Sequence, residues 1–324
     1  FEKDKYGKRL PYIDGISISF IKDEEVEFFK FLDGDIDFIS GREGDNKEEV
    51  FTGKGTLKKK YEDQITLLTH PYLNTEYLGI LVDDELDIVN KSPLKMKLIR
   101  QAINYGFDRK QMITYLRQNI GTPANAGFVP KGLPSYNETE VIGYNYDPDK
   151  ARALLKEAGF PNGDGLDEIK LYTTAQYLDL CEFIQHQLGE IGIKTTVDIL
   201  PGPTHRELVA RSKLNFFRKS WIADYPDAEN YLALFYSQNF TPHGPNYTHF
   251  KNAEFDKLYE QAQSETNDSL RYTLYQQMDK IVIEEAPIVP LYYDEVVRLT
   301  QKNIKNLGIN PVNLLTLKEV RIED

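Results

Sequence analysis

Cysteine and tryptophan occur once each, at Cys181 and Trp221, and methionine only three times. A single cysteine closes no intrachain disulfide and supplies no cysteine metal cluster. Its neighbours Leu180 and Ile184 place it on an apolar helical face, where a small buried hydrophobe is expected. No apolar run approaches the length that crosses a bilayer. Positive charge is in deficit: 39 basic against 51 acidic residues leave a net charge of −12, which argues against a nucleic-acid partner. Lys58 to Lys60 stand beside Glu62 and Asp63 and read as a solvated face. No His-Glu-x-x-His pair and no Gly-x-Ser-x-Gly elbow is present, and no Lys-Ser/Thr follows Gly121 or Gly127 as a phosphate loop requires. Neither a cofactor nor a catalytic centre is expected. The one metal-dependent alternative rests on His243 and His249, which flank a Gly-Pro-Asn turn, and zinc sites normally bring three or four spaced ligands.

What is present fits a globular α/β protein. The 40% hydrophobic and 28% charged residues are ordinary for one, and 324 residues exceed a single core. The 21 tyrosines and 17 phenylalanines suit a cleft that binds ligands of mixed polarity. Ile16, Ile18 and Phe20 alternate as a half-buried strand, and Val26 and Phe29 lie at helical spacing before Gly34. Residues 40–60, rich in Gly, Lys and Glu with little to bury, are expected as a mobile loop with a short helix. Two strands, 65–68 and 77–82, are expected on either side of a Pro-Tyr-Leu-Asn bend. Helical stripes follow at Leu94–Ile103 and, capped by Asp108 with Gln111 three residues on, at Met112–Leu116. Gly121 to Tyr136 is a long Pro/Gly loop of the kind that is often functional. Asp147-Pro148 opens a helix that Gly159 closes; further helices are expected at 177–191, near Glu207, at 254–265 and, capped by Asp268, beyond. Strands are expected at 193–199, 287–293 and 296–299.

One stretch organises this pattern: Arg218-Lys-Ser-Trp221-Ile-Ala-Asp224-Tyr225-Pro226-Asp227. Leu214, Phe216 and Phe217 lead into it as a buried strand, and Asp227 is placed to cap a helix beginning at Asn230. A strand leaving the core through Trp, Asp and Tyr carries polar groups to the sheet's carboxyl edge, where ligands of open α/β sheets usually bind. The same residues also fit a core ring, a turn aspartate and a solvated arginine.

Seven segments in order resemble one family, the extracytoplasmic solute-binding proteins of dipeptide/oligopeptide ABC transporters, which also includes nickel-chelate binders. They are Leu10-Pro-Tyr-Ile-Asp-Gly15 with Leu32-Asp-Gly34-Asp35-Ile-Asp37, the Arg100 to Arg109 segment, Ala151 to Pro161, Trp221 to Asp227, Phe255 to Leu258, Arg271 to Tyr275 and Ala286 to Tyr292. The resemblance implies a two-lobed, type II periplasmic-binding-protein-like α/β fold with mixed sheets flanked by helices. It divides the chain into 1–82, part of the first lobe; 83–293, the second lobe; and 294–324, a return to the first, with crossovers near residues 80 and 293 as the hinge. It also implies a fragment lacking an N-terminal region, so that part of the first lobe is missing. By the same resemblance Asp224 pairs with a peptide α-ammonium, Arg218 meets a ligand carboxylate, Trp221 walls a side-chain pocket and Tyr225 adjoins it. The implied function is non-enzymatic: a monomeric extracytoplasmic receptor, periplasmic or lipid-anchored at the cell surface, captures short peptides in an interlobe cleft by hinge closure. It delivers them to the permease and ATPase of an importer. Nickel chelates, haem or oligosaccharides are alternative ligands on this scaffold, and a sensory module is an alternative role.

Overall fold

A computed structural model describes residues 2–40, 47–308 and 310–323. The chain divides into two compact units. Unit 1 comprises Phe1–Tyr72, Arg117–Gly121 and Asp294–Asp324; unit 2 comprises Leu73–Leu116 and Thr122–Tyr293. The first change of unit therefore falls at Tyr72, ten residues before the 82 expected from sequence, and the strip 117–121 belongs to unit 1 rather than to the 83–293 block.

In unit 1, Asp23 caps helix α1 (Glu24–Leu32), accepting from the Glu25 and Val26 amides. Strand β1 (Phe38–Ser40) and a short helix α2 (Lys47–Val50) follow. Two expectations fail here. Ile16, Ile18 and Phe20 form no strand and stand 62%, 73% and 95% exposed, because an alternating pattern becomes a strand only where a ladder partner exists. Conversely, the 40–60 segment does have side chains to bury: Val50, Phe51 and Leu57 pack with Phe28, Phe31, Tyr61 and Ile65 in the unit's core. Residues 41–46, within the loop expected to be mobile, lie outside the described residues.

Strand β2 (Ile65–Ile80) carries the chain into unit 2. It is one strand rather than two. A proline interrupts a ladder only where its nitrogen must donate, so Pro71 is tolerated within it. Unit 2 then runs through helices α3 (Asp87–Asn90), α4 (Lys97–Tyr105) and α5 (Arg109–Arg117). Asp108 caps α5 through the Gln111 amide as its spacing predicts. The reciprocal half of the box is closed by Gln187, whose Oε1 accepts from the Asp108 amide and whose amide group donates to Gln111.

Strand β3 (Thr122–Pro123), helix α6 (Pro148–Glu157), β4 (Ile169–Thr173), α7 (Leu178–Glu190), β5 (Thr195–Ile199), α8 (Gly202–Ala210) and β6 (Phe216–Ile222) come next. Three helices complete the unit: α9 (Glu229–Leu232), α10 (Ala253–Ser264) and α11 (Asp268–Glu285), the last capped by Asn267 rather than by Asp268. Strand β7 (Ile288–Gln301) leads back into unit 1, where β8 (Ile304–Lys305) and β9 (Arg321–Ile322) pair. β7 is one strand where two, 287–293 and 296–299, are expected; Asp294 and Glu295 between them lie inside it, and Asp294 is buried and matched by Arg117 at 2.6 Å.

Within unit 2 the strands lie in the order β7-β2-β6-β4-β5. β6 is antiparallel to β2, with Trp221 opposite Thr75 and Arg218 opposite Leu78, while β6–β4 and β4–β5 are parallel. One face packs on α4, α5, α6 and α7 through Leu78, Ile80, Leu171, Phe216 and Ile184, a core that also encloses Cys181. Pairing β6 with β2 along seven residues, and with β4 at Phe217, aims its carboxyl end, and the functional stretch with it.

Candidate functional site

Side chains alternate along β6, so Arg218 and Trp221 leave on opposite faces. Arg218 turns toward Glu76 of β2 and makes a short ion pair with it; the two side chains are 12% and 4% exposed. The guanidinium also lies 3.0 Å from the centroid of the Tyr177 ring. Burial lowers its proton affinity, but the charge and hydrogen bond of Glu76 together with the Tyr177 and Tyr292 hydroxyls outweigh this and hold the arginine above its ordinary value. Glu76 Oε1 accepts as well from Asn74. Arg218, expected to meet a ligand carboxylate, is thus supplied with a carboxylate by the chain itself.

Asp224 is treated differently. It sits one residue past Ala223, whose amide donates to Leu73 and ends the ladder, and it is exposed. Among the described residues no lysine, arginine or histidine pairs with it. What holds it is Asn230 in α9, itself 5% exposed. Asn230 Oδ1 accepts from Trp221 Nε1 at 2.9 Å and from the Asp224 amide at 3.2 Å, and its Nδ2 donates to Asp224 Oδ2 at 3.4 Å. One buried amide therefore fixes both the ring and the carboxylate. Sequence reading named Asn230 only as a helix start; the cue was an amide-bearing residue six positions after the aspartate, within reach of a strand end that turns back.

Tyr225 is 46% exposed, and its hydroxyl donates to Glu229, which also accepts from Tyr259. The Asp227 carboxylate accepts from the Glu229 amide at 2.9 Å, but Ala228 stands at the N-cap position, so α9 begins at Glu229, one residue before the expected Asn230, without the aspartate as its cap. Lys219, between Arg218 and Ser220, is half-buried on Trp221's face with its Nζ 3.9 Å from the Tyr247 ring centroid.

His243 is exposed, and His249 is engaged by the protein at both nitrogens. Its Nδ1 lies 2.9 Å from Asp83 Oδ2, and its Nε2 2.9 Å from Ser212 Oγ and 3.2 Å from Thr241 Oγ1. The two histidines join no cluster of three or more metal-ligating side chains among the described residues. The Ser212–His249–Asp83 order resembles a hydrolytic relay, but the Ser212 and Lys213 amides both donate to the end of α8 (Val209 and Leu208 carbonyls). They are not aimed at an oxyanion. The trio ties the 239–250 loop to the residues after β2.

The second polar anchor of unit 2 is Asp279 of α11. Its carboxylate accepts from the Phe128 and Val129 amides at 2.7 and 3.2 Å, pinning the Pro/Gly loop. A Cβ on Gly127 would lie 1.8 Å from Asp279 Oδ2, which is why the loop carries glycine there. Burial pushes the Asp279 carboxyl up to about 6, against the pull of those two amides.

Residues 1–243 match the family model described as bacterial extracellular solute-binding proteins, family 5 Middle. Haem-binding protein A of Haemophilus influenzae is 30% identical over 294 residues, covering 89% of this chain and 50% of that protein. The dipeptide-binding protein of Escherichia coli is 24% identical over 324 residues, covering 99% and 57%. The oligopeptide-binding protein AppA of Bacillus subtilis, solved with a nonapeptide, superposes with a TM-score of 0.73 at 24% identity, covering 94% of this chain and 59% of that one. The chain thus spans about half the length of the curated relatives it matches.

Proposed function

The chain belongs to the bacterial extracellular solute-binding proteins of family 5, and we propose that it captures short peptides and hands them to the permease and ATPase of an ABC importer. The observation that carries this reading is Asp224: an exposed carboxylate at the carboxyl edge of β6, held by a buried amide and paired with no cation among the described residues. A peptide's α-ammonium is costly to desolvate, and a carboxylate already fixed in place offsets that cost without reorganising. Trp221, oriented by the same Asn230, offers an apolar wall beside it for a side chain. Tyr225 closes the turn. A wall of this kind accepts many side chains, so recognition rests on what every peptide shares.

The names of two relatives point the same way, one binding dipeptides and one an oligopeptide. As an extracytoplasmic receptor the protein acts as a monomer without catalysis, in the periplasm or on a lipid anchor. No helix among the described residues is long and apolar enough to cross a membrane. The test is calorimetry with di- to pentapeptides beside haem, the ligand named by another relative. Saturable heat with free-amine peptides is expected. Binding of haem with no response to any peptide would refute the peptide reading.

A further inference from the structure

Three carboxylates follow β6 within six residues, Asp224, Asp227 and Glu229, and each is held differently. Asp224 is held by the Asn230 amide. Asp227 accepts from the Glu229 amide and lies 3.9 Å from Arg271 Nη2 of α11. Glu229 accepts from two phenols: Tyr225 donates to its Oε2, and Tyr259 of α10 donates to its Oε1. Among the described residues no lysine, arginine or histidine pairs with Glu229.

The two phenols are not equivalent. Tyr225 is exposed and adjoins Asp224, whereas Tyr259 is buried. The Tyr259 ring stacks on Tyr236 with 4.5 Å between centroids, and it lies parallel to Phe255 of its own helix. Its hydroxyl therefore has a fixed position, and Glu229 passes that position on to Tyr225. Burial strengthens the hold of both phenols on their protons, and the hydrogen bond to Glu229 adds to it, so each remains a donor. Hydrogen bonds to an ionised carboxylate are roughly twice as strong as neutral ones. The turn from Asp224 to Asn230 is thus closed twice, by Asn230 on Asp224 and by Glu229 on Tyr225. Tyr231 and Leu232, both fully buried, fix the core side of α9, and Glu229 ties its outer side to α10. A lysine at position 225 could hold Glu229 as well, but it would place a cation beside Asp224 and compete with the ligand. Phenols hold the carboxylate without cancelling its charge.

We propose that Glu229, clamped between the hydroxyls of Tyr225 and Tyr259, is a positioning residue for ammonium recognition: it touches no ligand, and it fixes the turn that presents Asp224. This rests on the reading of Asp224 as the partner of a ligand's positive end. Asn230 sets the direction of the carboxylate, and the Tyr259–Glu229–Tyr225 chain keeps the backbone beneath it from shifting when the ammonium arrives. A contact whose partner is already in place loses less to ordering than one that must be assembled on binding.

The test is a ratio rather than an affinity. Trialanine and N-acetyl-trialanine are titrated calorimetrically into the full chain and into its Glu229→Gln, Tyr259→Phe and Tyr236→Phe variants. In the wild type the free amine is expected to bind at least about 10-fold tighter than the acetylated peptide. Glu229→Gln and Tyr259→Phe should each lower that ratio by about 3-fold or more, the scale of one hydrogen bond, and leave the acetylated peptide within about 2-fold of its wild-type affinity. Tyr236→Phe removes the neighbouring phenol, which donates to Glu260 and not to Glu229, and should keep the wild-type ratio. General loosening of these helices would weaken both peptides alike, so the ratio reports on the ammonium end alone. No binding, or no preference for the free amine, in the wild type would overturn the reading of Asp224 and this inference with it. A wild-type preference that Glu229→Gln or Tyr259→Phe retains, or that Tyr236→Phe lowers as much, would overturn the inference and leave that reading standing.

Discussion

Six residues apart, the start and the exit of the β6 segment treat charge in opposite ways. Arg218 is largely buried, ion-paired with Glu76 and stacked on Tyr177, whereas Asp224 is exposed and, among the described residues, held by the neutral amide of Asn230. In sequence the two look alike, a charge on either side of a tryptophan. A charge matched inside the protein stabilises the fold by not being left alone, and it has little to offer a ligand. A charge fixed in position but unmatched adds little to stability and is available for binding. Breaking the first should therefore destabilise the fold, while breaking the second should leave the fold and alter recognition.

The largest effect belongs to the buried pair. Glu76→Ala leaves the Arg218 guanidinium without its partner and should cost about 3–5 kcal/mol in chemical denaturation. Replacing both residues by methionine should recover most of that loss, because removal of a buried pair together costs far less than removal of one member. If the single and double variants are equally destabilised, the pair is not what holds this part of the sheet.

Asp279 comes next, a buried carboxylate with two amide donors and no cation. Its carboxyl is raised in the folded protein to about 6 from an ordinary 3.8. The unfolded chain therefore gives up this proton first, so the stability tied to the protonated group is fully present below about pH 4 and is lost as pH rises to about 6. Denaturation at pH 4 and pH 7 should show Asp279→Asn lacking about 2 kcal/mol of the wild type's dependence over that interval. Identical pH profiles for the two proteins would show that the group titrates normally.

Asn230→Ala follows, at about 1–3 kcal/mol, since it leaves the Trp221 indole N–H and the Asp224 amide without their acceptor. It should also weaken peptide binding, because both ligand-facing groups lose their orientation. The smallest effect on stability is Asp224→Asn, within about 0.5 kcal/mol, as for other exposed positions.

How much of this was legible beforehand differs between the two units. In unit 2 the periodic helices, the Asp147-Pro148 start and the buried strand into Trp221 were legible, because local pattern and tertiary packing agree there. The long strands β2 and β7 were each read as two, since Pro71 and Asp294-Glu295 are breakers by local rules, and only the Arg117 ion pair explains how the acid is accommodated. In unit 1 the alternation of Ile16, Ile18 and Phe20 was misleading, and the burial of Val50, Phe51 and Leu57 was invisible because those residues follow neither helical nor strand spacing. At the site, residue types pointed to Asp224 and Trp221. The partners that decide what each charge does, Glu76 for Arg218 and Asn230 for Asp224, lie on other elements, and no spacing rule reaches them.

The central claim is that Asp224 is held in place for a ligand's positive end. Calorimetry of wild type and Asp224→Asn with trialanine and N-acetyl-trialanine tests it most directly. The account predicts that the substitution weakens trialanine by about 10-fold or more, the scale of a charge-assisted contact, and leaves the acetylated peptide nearly unchanged. Equal weakening of both peptides, or of neither, would contradict it.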